Sequence, residues 1–456
     1  MITLLERAAE AAPRQAAVVT SEGSVSYGEL LDQARRAGAA LRERQITRFA
    51  VIEPDAAWVI RLLAGAALVG AEPCQYQPDV AAKEFERQTA TFGHSIVVTR
   101  RSDLGGAHEI IRPEELTEEV PAAVDSPSEA QPLMIRTTGT TGPPKAARHD
   151  WRILGRTVGN RRPRPDQRWL LAYGPHQFAG IQVLQHVVAS QATLIAPFPR
   201  QPRDGLEALL SERVTCVSAT PTYFRFLLSE ARSADAELPP LEQITLGGEA
   251  IPPDLLDRLG QAFPGARISQ VYASTEFGSV MSVRDGEAGF PADALYSDSN
   301  PSATVRVIDG ALWVRAEAGM LGYAGEQGSD VSLTEVEGWR PTGDLVEIVG
   351  SRVRFRGRDS EVINVGGVKV DPLPVENRIA GLPGVAAARV FGRSNPMTGA
   401  IVAAEVIPTG EADQKRIRLE IKEALEDLPP AWHPRSVKFV ESVETRGDKT
   451  VRGMQS

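Results

Sequence analysis

Four short apolar runs decide the fold: WLLAYGP (169–175), ATLIAPF (192–198), VTCVSATP (214–221) and QITLGG (243–248). Each run has the length of a buried β-strand and ends at Gly or Pro. Helical stretches lie between the runs. This alternation predicts an α/β fold with largely parallel sheets.

The same alternation extends toward the N-terminus. The segment VSYGELLDQARRAGAALRER (25–44) has apolar residues at helical spacing after a serine that can cap a helix. The run RFAVIEP (48–54) has the character of a strand, and AAWVIRLLAGAALVGA (56–71) returns to helical spacing. We therefore expect this region to belong to the same α/β unit.

From about residue 300 the pattern changes to period two. ATVRVIDGALWVRA (303–316) and VEIVGSRVRFRGR (346–358) alternate apolar and polar residues with turn residues between them, which predicts antiparallel strands. The remaining chain contains short strand-like runs and a helix expected over 416–428, which indicates a small α+β unit. We expect two domains, residues 1–358 and 359–456.

Composition excludes several classes of protein. The chain has 456 residues, is 42% hydrophobic and 24% charged, and carries a net charge of −9, which argues against nucleic acid as a partner. The two cysteines, Cys74 and Cys216, form no framework of disulfides or metal ligands. No signal peptide or membrane-spanning run is evident. We expect a cytoplasmic protein with no membrane partner.

A polar, glycine-bearing segment, RTTGTTGPPKAARHD (136–150), carries the clearest chemical signal. Glycines let backbone N–H groups approach a polyanion, hydroxyls add neutral donors, and Lys145 adds a point charge. This combination suits a triphosphate. The Walker A pattern does not fit around Lys145, so the P-loop NTPase mechanism is disfavoured. An ordinary polar loop is the alternative.

IRTTGTTGPPKA (135–146) resembles the signature loop of the acyl-adenylating superfamily, which includes acyl- and aryl-CoA synthetases, peptide-synthetase adenylation domains and luciferases. Further segments resemble this superfamily's motifs, in the same order: GGEA (247–250), QVYASTE (270–276), RPTGDL (340–345), GRDS (357–360), NVGGVKV (364–370) and KTVR (449–452). Ala146, Ala273 and Asp448 stand where glycine is usual. The resemblance implies a large N-terminal domain with mainly parallel sheets and a small distorted barrel, followed by a small mobile α+β domain.

The resemblance also implies cofactors and roles. Tyr272 stacks on adenine, Thr275 donates to the α-phosphate and Glu276 holds Mg2+. Asp344 accepts bonds from the ribose hydroxyls, and Arg358 reaches the ribose or phosphate. The full ATP- and AMP-binding set that it implies is Thr137, Thr138, Gly139, Thr140, Thr141, Gly142, Lys145, Gly248, Glu249, Ala250, Gln270, Tyr272, Ala273, Ser274, Thr275, Asp344 and Arg358.

Lys449 is the expected catalytic residue, together with Thr275 and Glu276. The substrate carboxylate and the α-phosphate are both anions, and an ammonium between them lowers the barrier to their approach. The alternative is a solubilising charge in a polar tail. Asp448 beside Lys449 weakens the local positive field.

The acyl pocket is expected to include His176, Gln182, Gly248 and Ser279. His176 lies in GPHQFAG (174–180), where many CoA synthetases carry a histidine beside the substrate carboxylate; a structural histidine is the alternative. Amino-acid-activating relatives place an aspartate here, and residues 171–185 contain none. This favours a plain carboxylic acid, aryl or short and branched, over an α-amino acid.

Coenzyme A is the expected acyl acceptor. Gly366 and Gly367 match the segment that lines the pantetheine tunnel, although a simple hairpin turn explains two glycines equally well. Ser360 stands at the expected hinge. A carrier-protein phosphopantetheine, an amine or another nucleophile remains an alternative acceptor, and a non-catalytic nucleotide-binding relative is a further alternative. A homodimer is left open.

Overall fold

The computed structural model covers the whole chain. The residues that it describes are 1–104, 106, 108–118, 124, 126–137, 145–158, 161–297, 303–316, 319–324, 330–331, 337–410, 412–443, 445–446, 449–450 and 452.

Helices form where the apolar spacing predicts them. Within the described residues they are α1 (Ile2–Ala11), α2 (Tyr27–Glu43), α3 (Ala56–Val69), α4 (Ala82–Phe92), α5 (Glu115–Glu118), α6 (Trp151–Leu154), α7 (Phe178–Ala189), α8 (Pro202–Ser211), α9 (Pro221–Ser233), α10 (Pro253–Ala262), α11 (Pro372–Ala380) and α12 (Gln414–Ala424). Ser26 caps α2 in a reciprocal capping box with Glu29. The helix expected over 416–428 ends earlier, at Ala424, before two successive prolines that cannot continue a helix.

The strands of the described residues are β1 (Ala16–Thr20), β2 (Gly23–Ser26), β3 (Arg48–Ile52), β4 (Glu72–Gln75), β5 (Ile96–Thr99), β6 (Glu109–Ile111), β7 (Pro132–Thr137), β8 (Lys145–Asp150), β9 (Arg168–Leu171), β10 (Thr193–Ile195), β11 (Cys216–Ala219), β12 (Gln243–Gly247), β13 (Arg267–Ser274), β14 (Gly278–Val283), β15 (Phe290–Pro291), β16 (Ala303–Ile308), β17 (Ala311–Ala316), β18 (Gly322–Ala324), β19 (Asp330–Val331), β20 (Arg340–Val349), β21 (Arg352–Arg358), β22 (Ile363–Val365), β23 (Val368–Val370), β24 (Val385–Asn395), β25 (Gly399–Pro408), β26 (Ser436–Phe439), β27 (Thr445–Arg446) and β28 (Lys449–Thr450).

The four apolar runs form neighbouring strands of one sheet. Its order is β14–β13–β12–β11–β9–β10–β1–β2, and all its pairs are parallel except β13–β14 and β1–β2. A second sheet has the order β19–β18–β8–β7–β4–β3–β5–β6 and is parallel from β7 to β6. The largest apolar cluster combines residues of both sheets with α1, α2, α3 and α7. These helices therefore pack between the two sheets.

Two five-stranded sheets and the two-stranded sheet β27–β28 complete the fold of the described residues. The strands from β15 to β21 include an antiparallel sheet with the order β15–β21–β20–β17–β16. The last part of the chain forms a separate sheet, β23–β22–β25–β24, with β26 parallel to β25 and its own apolar core. The predicted α/β class, with mainly parallel sheets and a small antiparallel unit, is confirmed. No helix of the described residues is long and apolar enough to cross a bilayer.

Helices α2 and α3 approach each other at two glycines, and this contact generates a stability prediction. A Cβ on Gly65 would lie 2.7 Å from the Ala34 carbonyl oxygen and 2.8 Å from the Gly38 nitrogen. We expect Gly65→Ala to lower the free energy of unfolding by about 1–3 kcal/mol through overpacking. The measurement is urea denaturation followed by circular dichroism.

Gly260→Ala is the matched control, because Gly260 is also helical and a Cβ there would have no heavy atom within 4 Å. This change is expected to raise stability by about 0.4–1 kcal/mol. If both substitutions changed the free energy of unfolding equally, helix propensity and not the close approach of α2 and α3 would explain the effect of Gly65→Ala.

Candidate active site

A cavity of about 940 Å³ runs along one face of the first sheet. Alternate residues of β12 and β13 form one wall, because side chains at i and i+2 of a strand point to the same face. On β13 these are Arg267, Ser269 and Val271, followed by Ala273. The opposite wall is helix α7, whose contributing residues recur at helical spacing. The cavity therefore follows the strands from their carboxyl ends toward their starts.

Three of the four predicted acyl-pocket residues lie on the wall of this cavity: Gln182, Gly248 and Ser279. His176 is not among the lining residues. Its ring packs against Gly174, where a Cβ would meet it at 2.2 Å. Burial, followed by the charges of Arg136 and Arg200, lowers the pKa of His176 to about 3, so the imidazole is neutral at physiological pH.

The segment after β12 is held in place at the carboxyl edge of the sheet. The Tyr173 hydroxyl donates to the Gly247 carbonyl oxygen at 3.0 Å. Glu249 accepts from both the backbone N–H and the hydroxyl of Thr222, at 3.1 and 2.7 Å. Thr222 lies in the first turn of α9, where the helix dipole favours a carboxylate.

The end of β13 and the turn that follows it present Ala273, Ser274 and Thr275 to the cavity. The Ser274 hydroxyl accepts from the Phe277 N–H at 3.1 Å, which stabilises the turn. Gln270 is directed differently: its side chain donates to the Glu287 carbonyl oxygen at 2.6 Å, and it does not line the cavity. The structure therefore does not bring Gln270 together with the other residues of this turn.

Three predicted nucleotide-binding residues meet through direct hydrogen bonds. The Tyr272 hydroxyl donates to Asp344 Oδ2 at 2.6 Å, and Arg358 Nε donates to Asp344 Oδ1 at 3.0 Å. Asp344 and Arg358 are partners in the β20–β21 register, and the Tyr272 ring packs on Phe355 at 5.2 Å between centroids. Burial, followed by the Asp344 charge, raises the pKa of Tyr272. An aromatic ring beside a fixed carboxylate suits a nucleoside.

Glu276 belongs to a second cluster. The Tyr323 hydroxyl donates to Glu276 Oε1 at 2.7 Å, and the Lys145 ammonium lies 5.1 Å from the centre of the Tyr323 ring. Tyr323 is on β18, opposite Ala147 of β8. Tyr323 therefore contacts both the Glu276 carboxylate and Lys145, the lysine expected at the triphosphate.

The donor set at Glu276 fits Mg2+ that arrives with a polyphosphate. The described residues contain no cluster of three or more His, Cys, Asp or Glu side chains that could hold a metal ion. Mg2+ is commonly bound through one or two carboxylates and substrate phosphates, so a single carboxylate is sufficient when the nucleotide supplies the other oxygens.

The phosphate segment is described only at its ends. Thr137 and Lys145 are partners in the β7–β8 register, and the Thr137 hydroxyl donates to the Lys145 carbonyl oxygen at 3.5 Å. The predictions for Thr138, Gly139, Thr140, Thr141 and Gly142 lie outside the described residues.

Arg452 binds Glu376 and lies near Glu249. Lys449 is in β28, which pairs with β27; only the backbone of this pair is described. Arg452 donates two hydrogen bonds to Glu376 Oε1, at 2.6 and 3.0 Å. Burial opposes the charge of Arg452, but the carboxylates of Glu376, Glu249 and Glu361 raise its pKa overall. The tail that carries Lys449 is therefore close enough to Glu249 for an electrostatic interaction.

The proposed tunnel and hinge residues lie on neighbouring turns. Gly366 and Gly367, with φ of 59° and 91°, connect β22 to β23. Two successive positive φ angles favour glycine, so the backbone alone accounts for this pair. Ser360 is exposed in a short 3-10 helix, Asp359–Glu361.

Sequence reasoning assigned no role to several residues of these clusters. Tyr323 and Thr222 have no local motif that marks them, because each acts on a residue far away in sequence. Arg452 is the last residue of the KTVR motif, but no sequence pattern identifies its partner. Its partner Glu376 is in α11, 76 residues earlier.

Comparison with known proteins supports the motif assignments. The family model of AMP-binding enzymes matches residues 5–324, and that of the AMP-binding enzyme C-terminal domain matches residues 374–449. The chain is 28% identical to the medium/long-chain-fatty-acid–[acyl-carrier-protein] ligase FadD10 of Mycobacterium tuberculosis, over 64% of this chain and 59% of that protein. It is 27% identical to a feruloyl-CoA synthase of an Amycolatopsis species, over 70% of this chain and 68% of that protein.

Solved structures show the same fold. An anthranilate CoA ligase, AuaEII, in complex with anthranoyl-AMP superposes with a TM-score of 0.84 at 19% identity, covering 99% of this chain and 95% of that chain. A benzoate CoA ligase from Burkholderia xenovorans has a TM-score of 0.82 at 19% identity, with 98% and 97% coverage. The chain spans only 59% of the length of the first curated relatives that it matches.

The Glu276 cluster generates a prediction about metal dependence. If Glu276 holds Mg2+, Glu276→Gln removes the charge of its carboxylate while retaining the size of the side chain. We expect the Mg2+ concentration that gives half-maximal pyrophosphate release to rise about tenfold or more. The measurement is a Mg2+ titration at saturating ATP.

Glu207→Gln, an exposed residue of α8, is the matched control and should leave the titration unchanged. An unaltered Mg2+ midpoint in Glu276→Gln would eliminate the metal role of Glu276.

Proposed function

Because this chain belongs to the AMP-binding enzyme family, we propose that it uses ATP to activate a carboxylic acid as an acyl-AMP and then transfers the acyl group to coenzyme A. The observation that carries the proposal is the hydrogen-bonded group of Tyr272, Asp344 and Arg358. Tyr272 lies on β13 directly before Ala273, Ser274 and Thr275, which line the cavity.

In the first half-reaction a substrate carboxylate oxygen attacks the α-phosphorus of ATP. The bond from this phosphorus to the bridging oxygen breaks, and pyrophosphate leaves. Thr275 donates to the α-phosphate, and the Lys449 ammonium balances the charge that develops between the two anions. Lys145 faces the β- and γ-phosphates, and Glu276 would hold Mg2+ beside them. The metal supplies charge neutralisation when bound.

In the second half-reaction the thiol sulfur attacks the acyl carbon, and AMP leaves as the carbon–oxygen bond to phosphate breaks. Lys449 must withdraw before the thiol enters. We assign this motion to residues 359–456 turning as a unit about Ser360, with the Gly366–Gly367 turn facing the pantetheine arm. A turn without side chains leaves space for that arm.

The acceptor has one serious alternative, a carrier-protein phosphopantetheine. FadD10 is named as an acyl-carrier-protein ligase, whereas the feruloyl relative is named as a CoA synthase. Pyrophosphate release measured across a panel of carboxylic acids, followed by acyl transfer to either CoA or a phosphopantetheinylated carrier protein, tests the proposal. Failure of every acid to release pyrophosphate would leave a non-catalytic nucleotide-binding protein as the better assignment.

We also propose a cytoplasmic location with a carboxylic acid and CoA as small-molecule partners. The two cysteines support the location, because both are free and buried.

The assignment of Lys449 predicts that the two half-reactions respond differently. Lys449→Ala should reduce acyl-AMP formation at least about 100-fold, equivalent to about 2.7 kcal/mol of lost transition-state stabilisation. Thioester formation from supplied acyl-AMP should change far less. The measurements are pyrophosphate release and single-turnover thioester formation. Lys438→Ala, at an exposed position of β26, is the control and should preserve both steps.

Equal losses in both half-reactions of Lys449→Ala would contradict the catalytic assignment.

The hinge assignment predicts the opposite pattern to that of Lys449→Ala: acyl-AMP formation is retained and transfer to CoA is slowed. Proline fixes φ and disfavours helical geometry at the residue before it, so Ser360→Pro should restrict rotation about this position. We expect acyl-AMP formation within about threefold of normal and transfer to CoA at least about tenfold slower. Ser360→Ala should leave both steps intact, and normal transfer in Ser360→Pro would place the hinge elsewhere.

A further inference from the structure

The end of the cavity that lies farthest from the nucleotide residues is strongly basic. Arg267 and Arg284 line it from β13 and the residue after β14, and Arg161 lines it from the segment before β9. Gln243, at the start of β12, contacts Arg267, and Gly247, at the end of β12, lies at the carboxyl edge of the sheet. The four residues between these positions correspond to about 13 Å at the usual rise of a strand. The arginines and the reacting carboxylate therefore occupy opposite ends of one cavity.

Neutral groups hold two of these arginines in place. Arg267 Nε donates to Gln243 Oε1 at 2.6 Å, and Arg284 Nε donates to Ser269 Oγ at 3.1 Å. Gln243 and Ser269 are themselves buried, and Gln243 Nε2 donates to Ser269 Oγ at 3.0 Å. This network fixes the stems of both guanidinium groups without neutralising their charge.

Within the described part of the chain, none of the three arginines forms an ion pair with a carboxylate. Arg164, on the same segment as Arg161, differs: it pairs with Glu242 at 2.8 Å and with Asp166 at 3.4 Å. Burial, followed by the charges of Arg284 and Arg267, lowers the pKa of Arg161. The cluster therefore carries mutual repulsion that an anion would relieve.

Neutral polar side chains accompany the arginines on this part of the wall. Gln167 and Ser190 line this end of the cavity beside His186, which stacks edge-on against Trp169 at 4.7 Å. Burial, then the charges of Arg161 and Arg267, lowers the pKa of His186 to about 4, so it is neutral and does not add to the positive charge. Neutral polar groups and guanidinium donors together match a carboxylate.

We propose that the substrate is a carboxylic acid with a second anionic group, a carboxylate, which Arg161, Arg267 and Arg284 bind at the far end of the cavity. The proposal rests on the proposed adenylation activity and narrows its substrate class. It replaces the plain aryl or short branched acid expected from the sequence with a dianion whose two charges lie on the order of 10–15 Å apart.

The test compares diacids from hexanedioate to dodecanedioate with their monomethyl esters, which retain one carboxylate. Pyrophosphate release should show a kcat/KM at least about tenfold higher for the best diacid than for its ester. Arg161→Ala and Arg267→Gln should each reduce the diacid value about 10- to 100-fold and change the ester value less than about threefold. Arg203→Ala, an exposed arginine of α8 outside the cavity lining, is the control and should leave both values unchanged.

A binding measurement tests the anion site independently of the proposed adenylation activity. Calorimetry with the non-hydrolysable adenosine acyl sulfamates of the same diacid and ester should show tighter binding of the diacid analogue, a difference that weakens with added salt. Preference for the diacid analogue without pyrophosphate release from any acid would support the anion site and contradict adenylation.

Pyrophosphate release with equal kcat/KM for diacid and ester would overturn the anion site and leave adenylation intact. Arginine variants that lower the kcat/KM of the diacid and of the ester by the same factor would also overturn the anion site. Arginine variants that keep the parent kcat/KM with the diacid but weaken acyl transfer to an acidic carrier protein would also overturn the anion site. That result would reassign the arginines to protein docking.

Discussion

The parallel alignment of β11, β12 and β13 is the constraint on which the site depends. It brings the carboxyl ends of these strands to one edge, where the Gly248 and Ala273 segments meet. Period-two alternation then extends a single wall from this edge to Arg267. A slip of one residue in the β12–β13 register would turn Arg267 and Ser269 to the opposite face of the sheet. The register that forms the sheet therefore also determines which side chains face the cavity.

The parts of the fold that local chemistry determines could be predicted from the sequence. The four apolar runs became β9 to β12, and Ser26 caps α2 as its position suggested. The parts that tertiary contacts determine could not. Tyr323 meets Glu276 only because β18 pairs with β8, and an arginine in a polar segment such as Arg161 is ordinarily a solvated surface charge.

The contrast between arginines with and without a carboxylate partner explains why the arginine cluster of the cavity could not be predicted from the sequence. Arg225 pairs with Asp254 at 3.0 Å and donates to the Ala380 carbonyl oxygen, which joins α9 to the last part of the chain. Arg267 is instead held by an amide. Amino-acid composition cannot distinguish a guanidinium group that joins two parts of the fold, as in Arg225, from one without a carboxylate partner, as in Arg267.

The geometry at Asp344 indicates how a nucleoside site can be ordered before its ligand arrives. A carboxylate has about four lone-pair positions, and here Tyr272 and Arg358 each occupy one, on different oxygens. These bonds fix the orientation of the carboxylate and leave one position on each oxygen. Two neighbouring ribose hydroxyls could then donate without displacing either protein partner, so binding requires little rearrangement of Asp344. The bond from Tyr272 also fixes its ring relative to Asp344, so in the proposed site the position of the base would be linked to that of the sugar.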